Sequence, residues 1–182
     1  MAASTIEFWY SVGSTYSYLT VMRITELCAA RGVTAVWQAF QVRDIMMEIG
    51  NRPFAGKPVK MAYMWRDMER RAAMYGMPIV VPAPYPLTEM DLANRLAILG
   101  RQEGWQEACT TESYRKWFQH GVEPGMEPGL SETLTAIGRD PAETIAKANG
   151  DAMVQALNDA TQRARDLGIF GSPTFVVEGE LF

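Results

Sequence analysis

The sequence has few of the residues that usually form metal sites, disulfides and catalytic dyads. Its 182 residues include one histidine and two cysteines. Cys28 and Cys109 lie far apart, and neither belongs to a CxxC pair or to a metal-ligand pattern. We therefore expect no bound metal, two buried thiols in a reducing compartment, and no dithiol redox chemistry carried out by the chain's own sulfur atoms.

The sequence also lacks a long hydrophobic run and an excess of basic charge. No stretch approaches the roughly 18 apolar residues of a membrane span, and the N-terminus does not have the pattern of a signal peptide. The 17 basic residues are scattered among 21 acidic ones, which gives a net charge of −4. These features predict a cytoplasmic protein that binds neither membrane nor nucleic acid.

What the sequence does contain begins with a β-α-β pattern. Residues 5–11 and 33–40 are rich in aromatic and β-branched types and predict two strands. Apolar residues recur between them at helical spacing, and Gly32 is expected to end that helix. A helical crossover of this length favours two parallel strands joined right-handedly.

The long middle of the chain, from about residue 41 to 168, has a helical pattern. Residues 60–75 predict an amphipathic helix. The segment MPIVVPAPYP that follows has four prolines and predicts an extended loop. One helix is expected to open at Thr88, and another to be capped by Asp140, with a proline at its first position.

A strand pattern returns near the end of the sequence. SPTFVV and LF predict two strands joined by a turn at Gly179-Glu180. Because the sequence stops at Phe182, within the second of these strands, we expect the natural protein to continue beyond it.

This order of elements is typical of a thioredoxin-like α/β fold. Residues 1–40 and 169–182 are predicted to form the thioredoxin-like domain, and residues 41–168 a helical insertion domain with its connectors. In GSPTF, Pro173 stands where such a fold has a cis-proline loop facing the start of the first helix. The residue before it, Ser172, can expose its backbone edge to an extended, peptide-like ligand.

The facing turn has Ser14-Thr15-Tyr16-Ser17 in place of CxxC. A hydroxyl at a helix N-terminus can donate to a bound anion, and the helix dipole favours the thiolate form of an incoming thiol. On the turn alone, a serine here is more often only an N-cap. The pairing with GSPTF favours the ligand role for Ser14, while Ser17 is expected to be structural.

Three separated stretches resemble the 2-hydroxychromene-2-carboxylate isomerases and the related kappa-class glutathione transferases, within the DsbA-like thioredoxin group. They are FWYSVGSTYSYL, the segment from IGNRPF to MPIVVP, and IFGSPTFVV. The resemblance covers the whole chain and implies a glutathione cofactor, a helical insertion over a cleft, and a homodimer. The sequence departs from the family's pattern at Thr15, where proline is common, and at Ser11, where aspartate is common.

The same resemblance implies roles for single residues. Ser14 takes the position of the serine that hydrogen-bonds the glutathione sulfur. Asn51 and Lys60 match polar residues that hold the glutathione backbone and a carboxylate. Ser172 would pair through its main chain with the cysteinyl part of glutathione, with Pro173 cis. The family's segment that helps to bind the γ-glutamyl end would begin just beyond the end of this sequence.

Judged from the residue types alone, several of these positions have more than one interpretation. Asn51 fits a turn as well as it fits a ligand contact. Lys60 opens a helix whose dipole its charge opposes, and this favours a ligand-facing role. Tyr16, Tyr18 and Trp65 would line an aromatic pocket or, as is more common, the core.

The function that the resemblance implies is glutathione-dependent cis-trans isomerisation of an aromatic 2-oxo acid or its cyclic hemiketal. The cofactor's thiolate would add to the conjugated acid, the resulting single bond would rotate, and elimination would restore the double bond. Two alternatives stay open: a kappa-like glutathione transferase, which stops after conjugation, and a redox-silent thioredoxin-like module that binds peptides.

Overall fold

A four-stranded mixed sheet lies at the centre of the computed structural model, which describes residues 4–52, 54 and 56–182. Its strands, in the spatial order β2-β1-β3-β4, are β1 (Ser4–Tyr10), β2 (Val33–Ala39), β3 (Thr174–Val177) and β4 (Glu180–Leu181). β1 and β2 are parallel, and β3 runs antiparallel to both β1 and β4. The predicted α/β class, with its β-α-β opening and its closing hairpin, is confirmed.

The helices found within the described residues are α1 (Ser17–Val21), α2 (Ile24–Ala29), α3 (Val42–Glu48), α4 (Pro58–Met74), α5 (Met90–Glu103), α6 (Gln106–His120), α7 (Gly129–Ala136), α8 (Pro141–Ala148) and α9 (Asp151–Asp166). Helices α3 to α9 lie between β2 and β3 in the sequence. Among the residues that the structure describes, no helix is both long enough and apolar enough to cross a membrane.

The crossover between β1 and β2 differs from the prediction, because it contains two short helices rather than one. The break between α1 and α2 falls at Met22 and Arg23, and the backbone of Arg23 has φ −133°, outside the helical range. The Arg23 guanidinium lies 3.5 Å from the centre of the Tyr75 ring, just after α4. Apolar spacing within the crossover carries no signal of this distant contact.

The predicted helix starts are confirmed in one case and wrong in the other. Asp140 caps α8, since its carboxylate accepts the Glu143 N–H at 2.8 Å. Helix α5, by contrast, begins at Met90 rather than at Thr88. The N–H of Thr88 donates to the side chain of Glu123, so that Thr88 belongs to the preceding loop.

The closing hairpin turns one residue earlier than predicted. Its central residues are Glu178 and Gly179, with φ of 50° and 87°, and Glu180 already belongs to β4. Two successive positive φ values are characteristic of the tight turns that match the twist of a two-residue hairpin.

The core surrounds β1 and fixes the position of the chain that leaves its end. The largest side chains without solvent exposure are Phe8, Trp9, Tyr10, Tyr18, Phe40, Met64, Met68, Tyr114, Trp117, Phe118, Leu134 and Ile169. Burial of each such side chain contributes about 1.5–3 kcal/mol. Tyr18 stacks on Phe118 with ring centres 4.5 Å apart, so Tyr18 belongs to the core rather than to a pocket wall.

Candidate functional site

The turn between β1 and α1 meets the loop that precedes β3. β1 and β3 are neighbours, with Trp9 opposite Thr174, so the end of one strand lies beside the start of the other. Across this junction the Ser14 hydroxyl donates to the Ser172 carbonyl oxygen at 2.6 Å. The peptide between Ser172 and Pro173 is cis. The structure therefore brings together three of the five residues that the sequence analysis named.

The Ser172 side chain joins the same turn through two further contacts. Its Oγ accepts the N–H of Ser11 at 2.9 Å and lies 2.9 Å from Oγ of Ser17. Ser17 has no solvent exposure, whereas Ser14 and Ser172 are half-buried. A ligand that enters this junction therefore has access to Ser14 and Ser172 but not to Ser17.

Ser14 does not cap a helix. Helix α1 spans five residues, and its N-cap is Tyr16, which makes no side-chain capping hydrogen bond. The alternative in which Ser14 serves only as an N-cap is therefore wrong. Because the macrodipole grows with the number of aligned peptides, so short a helix adds less to thiolate stabilisation than the sequence analysis expected.

Lys60 lies on α4, which approaches the turn from the side. The Met64 sulfur of that helix accepts a hydrogen bond from Thr15 Oγ1 at 3.2 Å. Residues four apart on a helix share a face, so Lys60 lies one helical turn from this contact, on the same side. Its side chain is exposed, with Nζ 5.5 Å from the centre of the Phe54 ring.

Asn51 follows α3 and is also exposed. Its N–H donates to the Met46 carbonyl at 2.8 Å, after Gly50 with φ 73°. Within the described part of the chain, no hydrogen bond joins the Asn51 side chain to either serine of the junction. The turn interpretation of Asn51 is thus supported by its backbone, and its ligand role stays a prediction.

An aromatic cluster lies between α4 and the proline-rich loop. Tyr85 packs edge-on against Phe54 and Trp65, with ring centres 5.8 and 6.0 Å away. Burial raises the pKa of the Tyr85 phenol, while the positive charge of Arg43 opposes that rise. Arg43 is fixed by a 3.1 Å hydrogen bond from its guanidinium to the Leu87 carbonyl. The aromatic cluster therefore lies close to the positive charge of Arg43.

Tyr16, the third of the candidate pocket residues, faces α4. Its hydroxyl donates to Asp67 at 2.8 Å, and Asp67 also accepts from Arg71 at 2.8 Å. Burial, followed by the contact with Asp67, raises the pKa of Tyr16 to about 12. Tyr16 therefore keeps its proton at neutral pH and ties the turn to α4.

Two buried polar residues that hold the turn escaped the sequence analysis. Asn94 of α5 has no solvent exposure; its Oδ1 accepts the Val12 N–H at 2.8 Å, and its Nδ2 lies 3.2 Å from the Val12 carbonyl and 3.3 Å from Ser11 Oγ. Tyr114 of α6 is equally buried and reaches the carbonyls of the turn. The available signal was an asparagine inside the apolar run LANRLAIL.

Comparison with known proteins places these features in a family. The profile of the DSBA-like thioredoxin domain matches residues 5–182. 2-Hydroxychromene-2-carboxylate isomerase from Sphingobium xenophagum is 24% identical over 180 residues, which are 98% of this chain and 91% of that protein. Glutathione S-transferase kappa 1 from Caenorhabditis elegans is 25% identical over 187 residues, covering 96% and 81% of the two chains.

A solved structure of 2-hydroxychromene-2-carboxylate isomerase superposes on the whole fold. Its TM-score is 0.86 at 23% identity, and the match covers 98% of this chain and 87% of the other. The resemblance inferred from three short stretches of sequence is confirmed, and so is the thioredoxin-like fold with its large helical segment.

Proposed function

The chain belongs to the family of DSBA-like thioredoxin domains, and we propose that it is a glutathione-dependent cis-trans isomerase of an aromatic 2-oxo acid or its cyclic hemiketal. The observation that carries the proposal is the Ser14 hydroxyl, 2.6 Å from the carbonyl that precedes cis-Pro173, where a dithiol enzyme of this fold would place sulfur. Relatives named as isomerases support this class of reaction.

The main chain of Ser172 is suited to a peptide-like ligand. Among the described residues, none accepts its N–H, and its carbonyl oxygen has a single donor, the Ser14 hydroxyl. Glutathione would use this backbone edge as an added strand does, with the cysteinyl N–H and carbonyl as partners. Lys60 and Asn51, near the start of α4, would hold its carboxylate and its backbone.

Docking of the ligand would redirect the Ser14 hydroxyl. A carbonyl oxygen has two lone pairs, so a cysteinyl N–H can bind the Ser172 carbonyl and keep it paired when the Ser14 hydroxyl turns away. When the cysteinyl N–H approaches the Ser172 carbonyl, the Ser14 proton can turn toward the ligand sulfur. Donation to sulfur stabilises the thiolate relative to the thiol and so lowers the thiol's pKa into the reactive range.

The thiolate would then act as nucleophile, which explains a site built without cysteine. It adds to the alkene carbon conjugated with the 2-oxo group, and the alkene electron pair moves to the carbonyl oxygen as an enolate. The former double bond rotates as a single bond, and collapse of the enolate expels the thiolate and restores the alkene. Glutathione is regenerated, so no oxidant or reductant is consumed.

The aromatic cluster of Phe54, Trp65 and Tyr85 would receive the flat part of the substrate, and Arg43 its carboxylate. T-shaped aromatic packing leaves ring faces and edges for a further ring. A guanidinium matches a carboxylate in two-point geometry. One of its hydrogen bonds goes to the Leu87 carbonyl, and among the residues that the structure describes no other group accepts from the guanidinium.

The division of the chain and its assembly are part of the same proposal. Residues 41–168 would form an insertion domain over the cleft, and residues 1–40 with 169–182 the thioredoxin-like part of a cytoplasmic homodimer. Helix α4 supports a dimer, because Val59, Tyr63 and Met74 on it are 82%, 65% and 67% exposed. Sedimentation at several concentrations tests this point.

A kappa-like glutathione transferase is the second candidate, supported by the kappa-class relative. Both enzymes need the same thiolate, but a transferase releases the conjugate.

Calorimetric titration of reduced glutathione is the first test, and saturable binding with one site per chain is expected. An assay with an interconvertible aromatic 2-oxo acid, run beside a simple aromatic electrophile, then separates isomerase from transferase. Binding of extended peptides without binding of glutathione would instead favour a redox-silent module.

A further inference from the structure

The hydroxyl of Tyr114 joins the two ends of the turn that carries Ser14. Tyr114 lies on α6, has no solvent exposure, and places its oxygen 2.9 Å from the Ser11 carbonyl and 3.2 Å from the Ser14 carbonyl. One O–H is thus shared between the two carbonyls. Because the side chain is fully buried, it does not itself touch a ligand in the cleft.

Ser11 connects this contact to the opposite loop. Its carbonyl also accepts the Ser14 N–H at 3.0 Å, and its own N–H donates to Ser172 Oγ at 2.9 Å. A displacement of Ser11 therefore reaches both members of the Ser14–Ser172 pair. Asn94 binds the chain one residue further on, at Val12, and leaves the Ser11 carbonyl to Tyr114.

We propose that Tyr114 is a positioning residue for the Ser14 hydroxyl. By holding the carbonyls of Ser11 and Ser14 on the α6 side of the turn, it keeps Ser14 Oγ within reach of Ser172 in the free protein and of the ligand sulfur in the complex. This inference rests on the proposed glutathione site and names the group that orients its thiolate donor.

The protonation state of Tyr114 agrees with this role. Burial holds the pKa of its phenol far above the ordinary value. The hydroxyl therefore stays protonated at neutral pH and acts as a donor to carbonyl oxygens, not as a base toward the glutathione thiol.

Tyr10 provides a matched control on the same helix interface. It is also fully buried, and its hydroxyl lies 2.8 Å from Thr110 Oγ1 and accepts from Gln106 Nε2 at 3.2 Å, both on α6. Tyr10→Phe removes a buried phenol hydroxyl between β1 and α6, and Tyr114→Phe removes one between α6 and the turn that follows β1. Only the second removal touches the turn.

The experiment compares these two variants with the wild type in complex with reduced glutathione. The pKa of the bound thiol is followed by the ultraviolet absorption of the thiolate. We expect Tyr114→Phe to raise it by about one unit, which is about tenfold less thiolate at a given pH below it, and Tyr10→Phe to leave it unchanged. In the Ser14→Ala background, Tyr114→Phe should add no further shift, because it acts through Ser14.

A second readout does not depend on the ligand. In the free protein, amide exchange of the Ser14 N–H should accelerate in Tyr114→Phe but not in Tyr10→Phe. Equal behaviour of the two variants in both measurements would overturn the positioning role while leaving the glutathione site intact. A wild type that binds no glutathione would overturn the proposed function, and the exchange measurement alone would then decide whether Tyr114 holds the turn.

Discussion

At the scale of single residues, the proposed chemistry depends on one hydroxyl. Ser14→Ala removes the hydroxyl that donates to Ser172 and, in the proposed complex, to the ligand sulfur, and it removes little packing because Ser14 is half-buried. We expect the fold to be retained, the pKa of bound glutathione to rise by at least one unit, and isomerase turnover to fall about tenfold or more.

The matched control for that variant is Ser131→Ala. Ser131 is a half-buried serine of α7 whose hydroxyl donates to Glu127. Turnover and the thiol pKa should be those of the wild type. If Ser14→Ala retained full turnover, Ser14 would have no part in the chemistry, whatever its geometry.

Arg43 gives a prediction about substrate binding, also at this scale. Arg43→Gln removes the positive charge and reduces the number of side-chain N–H donors. The Gln amide keeps the type of group that donates to the Leu87 carbonyl. We expect KM for the anionic substrate to rise about tenfold with little change in glutathione affinity. The same steady-state assay run with Arg31→Gln, an exposed arginine whose guanidinium also donates to a main-chain carbonyl, that of Leu27, serves as the comparison. Equal KM values for the two variants would place the carboxylate elsewhere.

At the scale of elements, Asn94 connects α5 to the end of β1. Its amide satisfies both the N–H and the carbonyl of Val12 and also donates to Met90. Asn94→Leu keeps the number and branching of the side chain's heavy atoms but leaves these buried groups unpaired, which costs about 1–3 kcal/mol for each unsatisfied group. Urea unfolding should show a large loss of stability, whereas Asn149→Ala, at an exposed site, should cost under about 1 kcal/mol. Equal losses in both would contradict this account.

The contact between α4 and the turn gives a prediction about pH. Hydrogen bonds from Arg71 and then Tyr16 lower the pKa of Asp67. A lowered folded-state pKa means that the stabilisation is complete above the unfolded-state value and is lost as the pH falls through the folded-state value. Asp67→Asn should therefore be less stable than the wild type near neutral pH, and the two should converge in acid. A difference in unfolding midpoint that persists unchanged into acid would contradict this.

Elements also show what the sequence could and could not predict. The strands, the long amphipathic helix α4 and the cap at Asp140 follow from local patterns, because period and capping chemistry are local properties. The Arg23 side chain at the helix break contacts Tyr75, and the roles of Asn94 and Tyr114 depend on which faces of α5 and α6 meet the turn. Such contacts join residues distant in the chain, and no local pattern contains them.

The candidate site follows the same division. Ser14, Ser172 and Pro173 were predictable because two turns of a known fold must face each other across neighbouring strands. The hydrogen bond from the Ser14 hydroxyl to the Ser172 carbonyl was not predictable, because it depends on the side-chain rotamer within the folded junction. Asn51 and Lys60 were predicted from a resemblance alone. Their side chains are exposed, and their contact with glutathione stays a prediction.

At the scale of the whole molecule, both cysteine thiols are buried. Burial raises the pKa of Cys109 to about 12 and also raises that of Cys28. We expect both to react slowly with a thiol reagent in the native state and rapidly after unfolding, with Cys28, which borders a surface groove, reacting first. Glutathione-dependent turnover should survive alkylation of the free protein, and its loss in step with alkylation would show that a protein thiol takes part.

The resting contact between Ser14 and Ser172 has a consequence for how the protein selects among the thiols of a cell. The Ser14 hydroxyl already donates to the Ser172 carbonyl before any ligand arrives. A thiol that carries no peptide N–H offers this carbonyl no donor in place of the hydroxyl. A simple thiol would leave the Ser14 hydroxyl bound to Ser172. The cysteinyl N–H of a γ-glutamyl tripeptide would bind the Ser172 carbonyl instead and free the hydroxyl for the sulfur. The same hydrogen bond would thus favour thiols that carry a peptide N–H over simple thiols.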